Sequence, residues 1–396
     1  MCDEQFTKLN SELRSINLDG GNIVKSNLHR TGSFHTQKLL SSDSTITSSS
    51  VKFEMSERLL TIFSRFDDDL VQSYFWSKDY ARDFLSLCER VKSVFKTESP
   101  VLDIRGATHV FGDVHGNIDD LFFFRDNVWP NGMELTAGKF LFLGDYVDRG
   151  ICGLEVLTYL FACKTLYPKK VFMIRGNHEL RSVNGWEAHY GAKCLLAQCK
   201  QRFGKKNGHL IWEAANSVFD FLPVAATLDN DVFCTHGGIP RCLVSKQSRM
   251  DILKQVSGGA TKECIEEQKE SKDLLSDLLW GDPTDGKTAL VDKNGFAEGS
   301  RGGSACMFTQ QAVDEFFLEH GFSLMLRAHQ ACEDGVSVTM KGKVVTVFST
   351  SKDHGMGNES SCAYLVYEDK QLIAINRFTK AHKQLTPVEV NSLSAA

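Results

Sequence analysis

Five short apolar runs in this 396-residue chain end in the same way. THVF (108–111) leads into GDVHGN, KFLFL (139–143) into GDYVDRG, VFMI (171–174) into RGNHE, DVFCT (231–235) into HGG, and SLML (323–326) into RAHQ. Each run has the length and the apolar, often β-branched or aromatic make-up of a buried strand. The residues that follow are aspartate, histidine, asparagine and arginine, too closely spaced to be buried casually, because an unpaired buried polar group costs about 1–3 kcal/mol. In open α/β sheets, ligands bind beyond the carboxyl ends of the strands. A chain that repeats this device can gather distant polar side chains at one sheet edge, around a bound ion or substrate.

The rest of the chain sets the frame. SERLLTIFSRF and YARDFLSLCERVKSVF carry apolar residues at helical spacing, and LEVLTYLFACKTLYP and TQQAVDEFFLEHG read as helices between the strand-like runs. KVVTVFS, CAYLVYE and QLIAINRF add strands at the far end. This alternation predicts an α/β domain over residues 53–380. Residues 1–52, which include SSDSTITSSS, offer too little apolar surface to offset chain entropy and read as a flexible tail, with 381–396 a short C-terminal tail. The charged stretches KQRFGKKNGH (200–209) and 246–273 read as surface segments, the first a solvated loop.

Composition excludes some classes. With 42% apolar and 24% charged residues the chain matches a globular protein, and a net charge of −5 gives no general attraction to nucleic acid or an anionic membrane. The twelve cysteines are scattered singly with no C-x-x-C pair, so neither a zinc ribbon nor a thioredoxin-like motif is expected, and the pattern suits a reducing compartment where thiols stay free. No signal-like or membrane-spanning apolar run is present, and the expectation is a cytoplasmic protein, with the nucleus also open.

The ordered set GDVHGN, GDYVDRG, RGNHE, HGG and RAHQ, with FLPVAATL, LLWGDP and GSRGGSACMF, resembles the metal-dependent serine/threonine phosphoprotein phosphatase (PPP) family over about residues 55–380. The resemblance implies a calcineurin-like metallophosphoesterase fold, a central β-sandwich flanked by helices. It implies that Asp113, His115 and Asp145 hold one metal ion, that Asn177, His236 and His329 hold a second, and that Asp145 bridges both. That oxygen and nitrogen donor set lacks thiolate and suits manganese, iron or zinc better than magnesium alone. Two such cations can lower the pKa of a shared water toward neutrality, giving a bridging hydroxide for in-line attack on phosphoserine or phosphothreonine.

By the same resemblance Arg149 and Arg301 would clamp the phosphoryl oxygens, since the guanidinium fork matches phosphate. His178 would protonate the departing alkoxide as general acid, and Asp148 would hydrogen-bond and orient its ring. Glu179 reads as support behind the ligands, Asp282 as structural, and Tyr146 and Val147 as completing a turn. His109, His189, His209 and His320 read as ordinary histidines. Substrates would be phosphoproteins, and a regulatory or targeting subunit is compatible with the pattern. No D-x-[DN]-x-[DN]-G loop occurs, so no calcium-binding extension is expected. Two rival functions are a related metallophosphoesterase acting on nucleoside polyphosphates and an inactive phosphoprotein-binding scaffold.

One stretch departs from the family. Members commonly carry a Pro-Asn-Tyr-Cys-Gly loop where this chain reads TSKDHGMGNESS, so Asp353 and His354 stand where tyrosine and cysteine are expected. An added carboxylate at the mouth is expected to disfavour acidic flanking residues and to weaken inhibition by okadaic acid or microcystin.

Overall fold

In the computed structural model of the chain, the residues described are 48–244, 269–287, 290–299, 301, 305–352, 361–377 and 386–389, with 48–54, 269–272 and 386–389 described by backbone alone. The chain divides into the units Met1–Met55 and Ser56–Ala396, and the architecture below is that of the second.

Two six-stranded sheets form the centre. The first has the order β1 (Val101–Ile104), β5 (Ala225–Leu228), β6 (Val232–Thr235), β10 (Leu324–Arg327), β12 (Val344–Val347), β11 (Val336–Thr339). The second runs β15 (Thr386–Glu389), β14 (Gln371–Arg377), β13 (Cys362–Glu368), β2 (Thr108–Phe111), β3 (Lys139–Phe142), β4 (Val171–Met173). A small third sheet holds β7 (Asp282–Pro283), β9 (Cys306–Phe308) and β8 (Phe296–Glu298).

Alternation along the strands explains the layers. In β6 and β10, Val232, Cys234, Leu324 and Leu326 point between the two sheets, where they meet Val110, Leu141, Ala363 and Leu365 of the second sheet. Phe233 and Met325, one residue out of phase, face the other way onto Leu274, Leu278, Phe316 and Phe317 of the helices Lys269–Trp280 and Gln310–His320. On the outer face of the second sheet Phe111 stacks on Phe142 at 4.9 Å and Trp129 meets Phe140 edge-on. Helices therefore cover both sides of a β-sandwich, as expected for the calcineurin-like fold. The helix Lys78–Phe95 shows the local logic: Ser77 caps it by accepting from the Tyr80 N–H, Asp79 lies in its first turn, and Tyr80, Phe84, Leu87, Cys88 and Val91 are buried on one stripe.

Three segments differ from the sequence reading. KQRFGKKNGH is not a loop but the middle of the helix Leu195–Phe219, broken only at Gly204, whose φ of 77° is left-handed. Buried Leu195, Cys199 and Phe203 before the break and Ile211, Trp212, Ala215 and Val218 after it hold both halves on the core. A helix starts at Ser48, inside the stretch read as a tail, and Thr386–Glu389, within the expected C-terminal tail, pair as an edge strand with β14. Residues 245–268, most of the expected surface insertion, and the loop residues Asp353 and His354 lie outside the described residues.

Candidate metal centre and active site

Parallel pairing decides where the polar clusters go. β2, β3 and β4 are mutually parallel, so GDVHGN, GDYVDRG and RGNHE emerge at one edge. β6 and β10 are parallel in the other sheet and deliver His236 and His329 together. The two edges are stitched to one another by a bridge between Asp113 and Phe348 and by the Gly112 N–H donating to Ser349 Oγ at 2.8 Å. Close backbone approach requires glycine here: a Cβ on Gly112 would stand 2.0 Å from the Val347 carbonyl oxygen, and Gly144, at φ +106°, lies against Gly176.

Five of the chemistry-bearing residues sit in strained backbone. His115, Asp145, Asp148, Arg149 and His329 all have left-handed φ, between 48° and 72°. Such conformations cost energy in non-glycine residues and persist where the surrounding structure over-determines them.

The six expected ligands converge. His115 Nδ1 donates to the Val147 carbonyl at 3.0 Å and His236 Nδ1 to the Leu143 carbonyl at 2.9 Å, so each ring turns its Nε2 inward. Asp145 Oδ1 accepts from the His178 N–H at 2.8 Å. Its Oδ2 lies between the two rings, 3.6 Å from His115 Nε2 and 3.3 Å from His236 Nε2. Asp113 Oδ2 is 3.5 Å from His115 Nε2, while its Oδ1 accepts from the His329 N–H at 2.9 Å. Asn177 Oδ1 is 2.9 Å from His236 Nε2, and the His236 and His329 rings are 5.1 Å apart.

This donor set fits a cation. With its Nδ1–H committed to a carbonyl, a neutral His236 presents an Nε2 lone pair to Asn177 Oδ1 and Asp145 Oδ2, three acceptors with no proton among them. With Asn177 in this orientation, a positive charge placed among them settles the arrangement. Without a metal the charge is a proton: burial pulls the His236 pKa down, but the carboxylates of Asp145 and then Asp113 push it up to about 9. His329 Nε2 is buried with no hydrogen-bond partner, and burial followed by the charges of His236, Arg301 and Arg327 holds its pKa well below the usual value. An orphaned imidazole nitrogen kept neutral is what a metal ligand requires. Asp145 lies well below the carboxylate range, because His236 and His178 outweigh its burial. Two triplets have donor atoms close enough to share an ion, His115 with Asp145 and His178, and Asp145 with His236 and His329.

His178 stands at the rim of this cluster, its Nδ1 2.8 Å from Asp148 Oδ2 and its Nε2 3.9 Å from Asp145 Oδ2. The other oxygen of Asp148 accepts from the Leu195 N–H at 2.8 Å, so the carboxylate that holds the ring is itself fixed by a helix start. Arg149 Nε is buried without a partner, and Arg301 Nε donates to Asp282 Oδ2 at 2.7 Å.

Several contributors escaped the sequence reading. Asp282, read as structural, has a partner on each oxygen that the sequence did not show: its Oδ1 takes Arg327 Nη2 at 2.9 Å while its Oδ2 holds Arg301, so it joins a fully buried arginine to a candidate clamp. Arg327, from the RAHQ motif itself, also donates to the Gly237 and Gly281 carbonyls. Val147 and Tyr146 do more than complete a turn, since Val147 orients His115 through its carbonyl and the Tyr146 hydroxyl donates to the Ile174 carbonyl at 2.7 Å. Asp120, fully buried, accepts from the Ser351 N–H at 2.6 Å and pairs with Arg377, tying down the stem of the divergent loop. Backbone carbonyls leave no sequence signal, whereas Arg327 and Asp282 stood in motifs already noticed. His109, His189, His209 and His320 are not brought into the site; His320, for example, bonds the Leu243 carbonyl.

Residues 108–333 match the family described as calcineurin-like phosphoesterase. The chain is 31% identical over 292 residues to the serine/threonine-protein phosphatase BSL2 of Arabidopsis thaliana, covering 72% of this chain and 26% of that one, so it spans about a quarter of this relative's length. Among solved structures, a protein serine/threonine phosphatase from Saccharomyces cerevisiae with similarity to human phosphatase PP5 superposes with a TM-score of 0.60 at 22% identity, over 78% of this chain and 92% of that one. A cold-active protein-tyrosine phosphatase of a psychrophilic Shewanella species gives a TM-score of 0.51 at 17% identity, over 71% of this chain and 81% of that one. At these identities the two structures speak for the fold alone.

Proposed function

Because the chain belongs to the calcineurin-like phosphoesterase family, we propose that it is a serine/threonine protein phosphatase that hydrolyses phosphoserine and phosphothreonine in proteins. The observation that carries the reading is Asp145 Oδ2 standing between His115 Nε2 and His236 Nε2, with the orphaned His329 Nε2 beside them. Asp113, His115 and Asp145 would hold one divalent or transition cation (manganese, iron or zinc), and Asn177, His236 and His329 a second, with Asp145 shared. Bound there, such cations would activate water as a nucleophile and polarise the phosphoryl group.

The chain's own residues supply the rest. Arg149 and Arg301 grip the phosphoryl oxygens, and Asp282 fixes the direction of Arg301. His178 Nε2 hands a proton to the departing serine or threonine oxygen while Asp148 keeps Nδ1 engaged, so the acidic nitrogen faces the substrate. Glu179 locks the neighbouring backbone by accepting from the N–H groups of Asp145, Tyr146 and Gly176. Phosphoprotein substrates, a regulatory or targeting subunit, and a cytoplasmic or nuclear site of action belong to the same proposal. The test is elemental analysis of the purified protein together with turnover of phosphothreonine peptides and of diadenosine tetraphosphate. Metal binding with preferential peptide turnover is expected. Preference for the dinucleotide would point to the polyphosphate reading, and loss of metal or of all turnover would leave a binding scaffold.

A further inference from the structure

Beside the candidate centre lies a cavity of about 380 Å³ that shares two of its walls, His115 and Arg149, with that centre. Its size is at the small end of ligand sites, enough for a side chain or two rather than a second domain. Phe66, Ile118 and Ile151 supply an apolar floor, with Ile118 buried and Ile151 exposed. Three cations line it, Arg149, Lys193 and Lys352, against one acid, Asp119, which pairs with Lys352. With Arg149 committed to the phosphate, Lys193 and Lys352 against Asp119 leave an excess of one positive charge in the groove, in a chain whose net charge is −5. A concave surface of one sign focuses potential and selects ligands of the other sign.

We infer that this cavity is a specificity subsite that receives an acidic side chain flanking the phosphorylated residue of the substrate. The inference rests on the phosphatase reading and deepens it. Shared walls supply the register: the cavity borders the centre at His115 and Arg149, so a peptide that leaves a phosphate gripped by Arg149 on that side enters the groove. A glutamate there meets Lys193 and Lys352 with its carboxylate and lays its methylenes on Phe66 and Ile118. A lysine meets like charge. The preference is opposite in sign to that expected from Asp353 in the divergent loop, so a single experiment decides which carboxylate or cation dominates the mouth.

The experiment uses the full chain loaded with manganese and three phosphothreonine peptides that differ only in carrying Glu, Gln or Lys at the positions flanking the phosphothreonine. The readout is the ratio of kcat/KM for the glutamate peptide to that for the lysine peptide, which is independent of the fraction of active protein. A ratio of roughly five to ten is expected, the scale of one or two partly exposed ion pairs, falling toward one as salt screens the groove. In Lys193→Glu and Lys352→Glu the ratio should fall to one or below. Binding of the labelled, dephosphorylated glutamate peptide, followed by fluorescence anisotropy, should weaken in the same variants. A wild-type ratio of one or less, or a ratio above five that both variants retain, overturns the subsite. Failure of the metal-loaded protein to turn over any of the three peptides overturns the phosphatase reading beneath it, a result distinct from hydrolysis without preference.

Discussion

Glu179 offers the sharpest test of how the centre is held together. Its carboxylate accepts three backbone hydrogen bonds, from Asp145 N at 2.8 Å, Gly176 N at 2.9 Å and Tyr146 N at 2.9 Å, and it is fully buried. Burial and then the charge of Asp145 push its pKa up to about 8, while the Tyr146 and Asp145 N–H groups pull it back. All three partners are donors, so the form that satisfies them is the carboxylate, which a pKa of about 8 makes the major species only above that pH, and the comparison is made at about pH 9. Glu179→Gln preserves the shape but turns one acceptor into an NH₂ donor. If the amide oxygen faces Asp145 N and Gly176 N, the Tyr146 N–H is orphaned; in the other orientation two donors are. At about 1–3 kcal/mol for each buried orphan, and with a charge-assisted contact weakened, the loss should be about 2–5 kcal/mol, a large part of a typical 5–15 kcal/mol. These bonds tie the segment carrying Asp145 to the one carrying Asn177, so metal affinity should fall about 10- to 100-fold. Urea unfolding of the chelated protein and metal titration against a chelating dye measure both. A variant within about 0.5 kcal/mol of wild type, with unchanged metal affinity, would show that Glu179 is already a neutral acid and refute the argument.

Other consequences can be measured alongside. His178→Asn should lower kcat on a phosphothreonine peptide by about 10²–10⁴, and adding Asp148→Asn should cost little more, because the two residues act as a unit; an unchanged kcat in His178→Asn would sink the general-acid role. Asp282→Ala strands the fully buried Arg327 and frees Arg301, so urea unfolding should show a loss of about 3–5 kcal/mol together with a raised KM; a loss below about 1 kcal/mol would mean that the Gly237 and Gly281 carbonyls suffice for Arg327. Chelation should lower the Tm and manganese restore it, and in His329→Ala that metal-dependent increment should shrink or vanish, while an increment equal to wild type would exclude His329 as a ligand. Okadaic acid and microcystin should inhibit poorly in a peptide dephosphorylation assay; nanomolar inhibition would remove any role for Asp353 and His354 in setting sensitivity.

Much of this molecule was legible before any coordinates. Strand-like runs ending in aspartate, histidine and asparagine announced β2, β3, β4, β6 and β10, because a buried strand must be apolar and a site at its carboxyl end must be polar, and the two demands abut in sequence. Helices such as Lys78–Phe95 were legible for the same reason, their buried stripe being periodic. The mistaken loop at 200–209 shows the limit: Lys205, Lys206 and Gly204 look like loop composition, and only packing of the flanking apolar residues against the core makes a helix of them.

What the linear order of residues decided by itself was which side chains could bind a cation and which stretches had to be buried, since both depend on residue type and local spacing. What folding alone decided was direction and neighbourhood. The rings of His115 and His236 are aimed by the carbonyls of Val147 and Leu143. Asp113 meets His329 across 216 positions, Asp282 meets Arg327 across 45, and Lys193 and Lys352, far apart in sequence, line one groove. Such pairings depend on how two sheets are laid together, and no local pattern in a chain encodes the distance between residues brought together only by that packing.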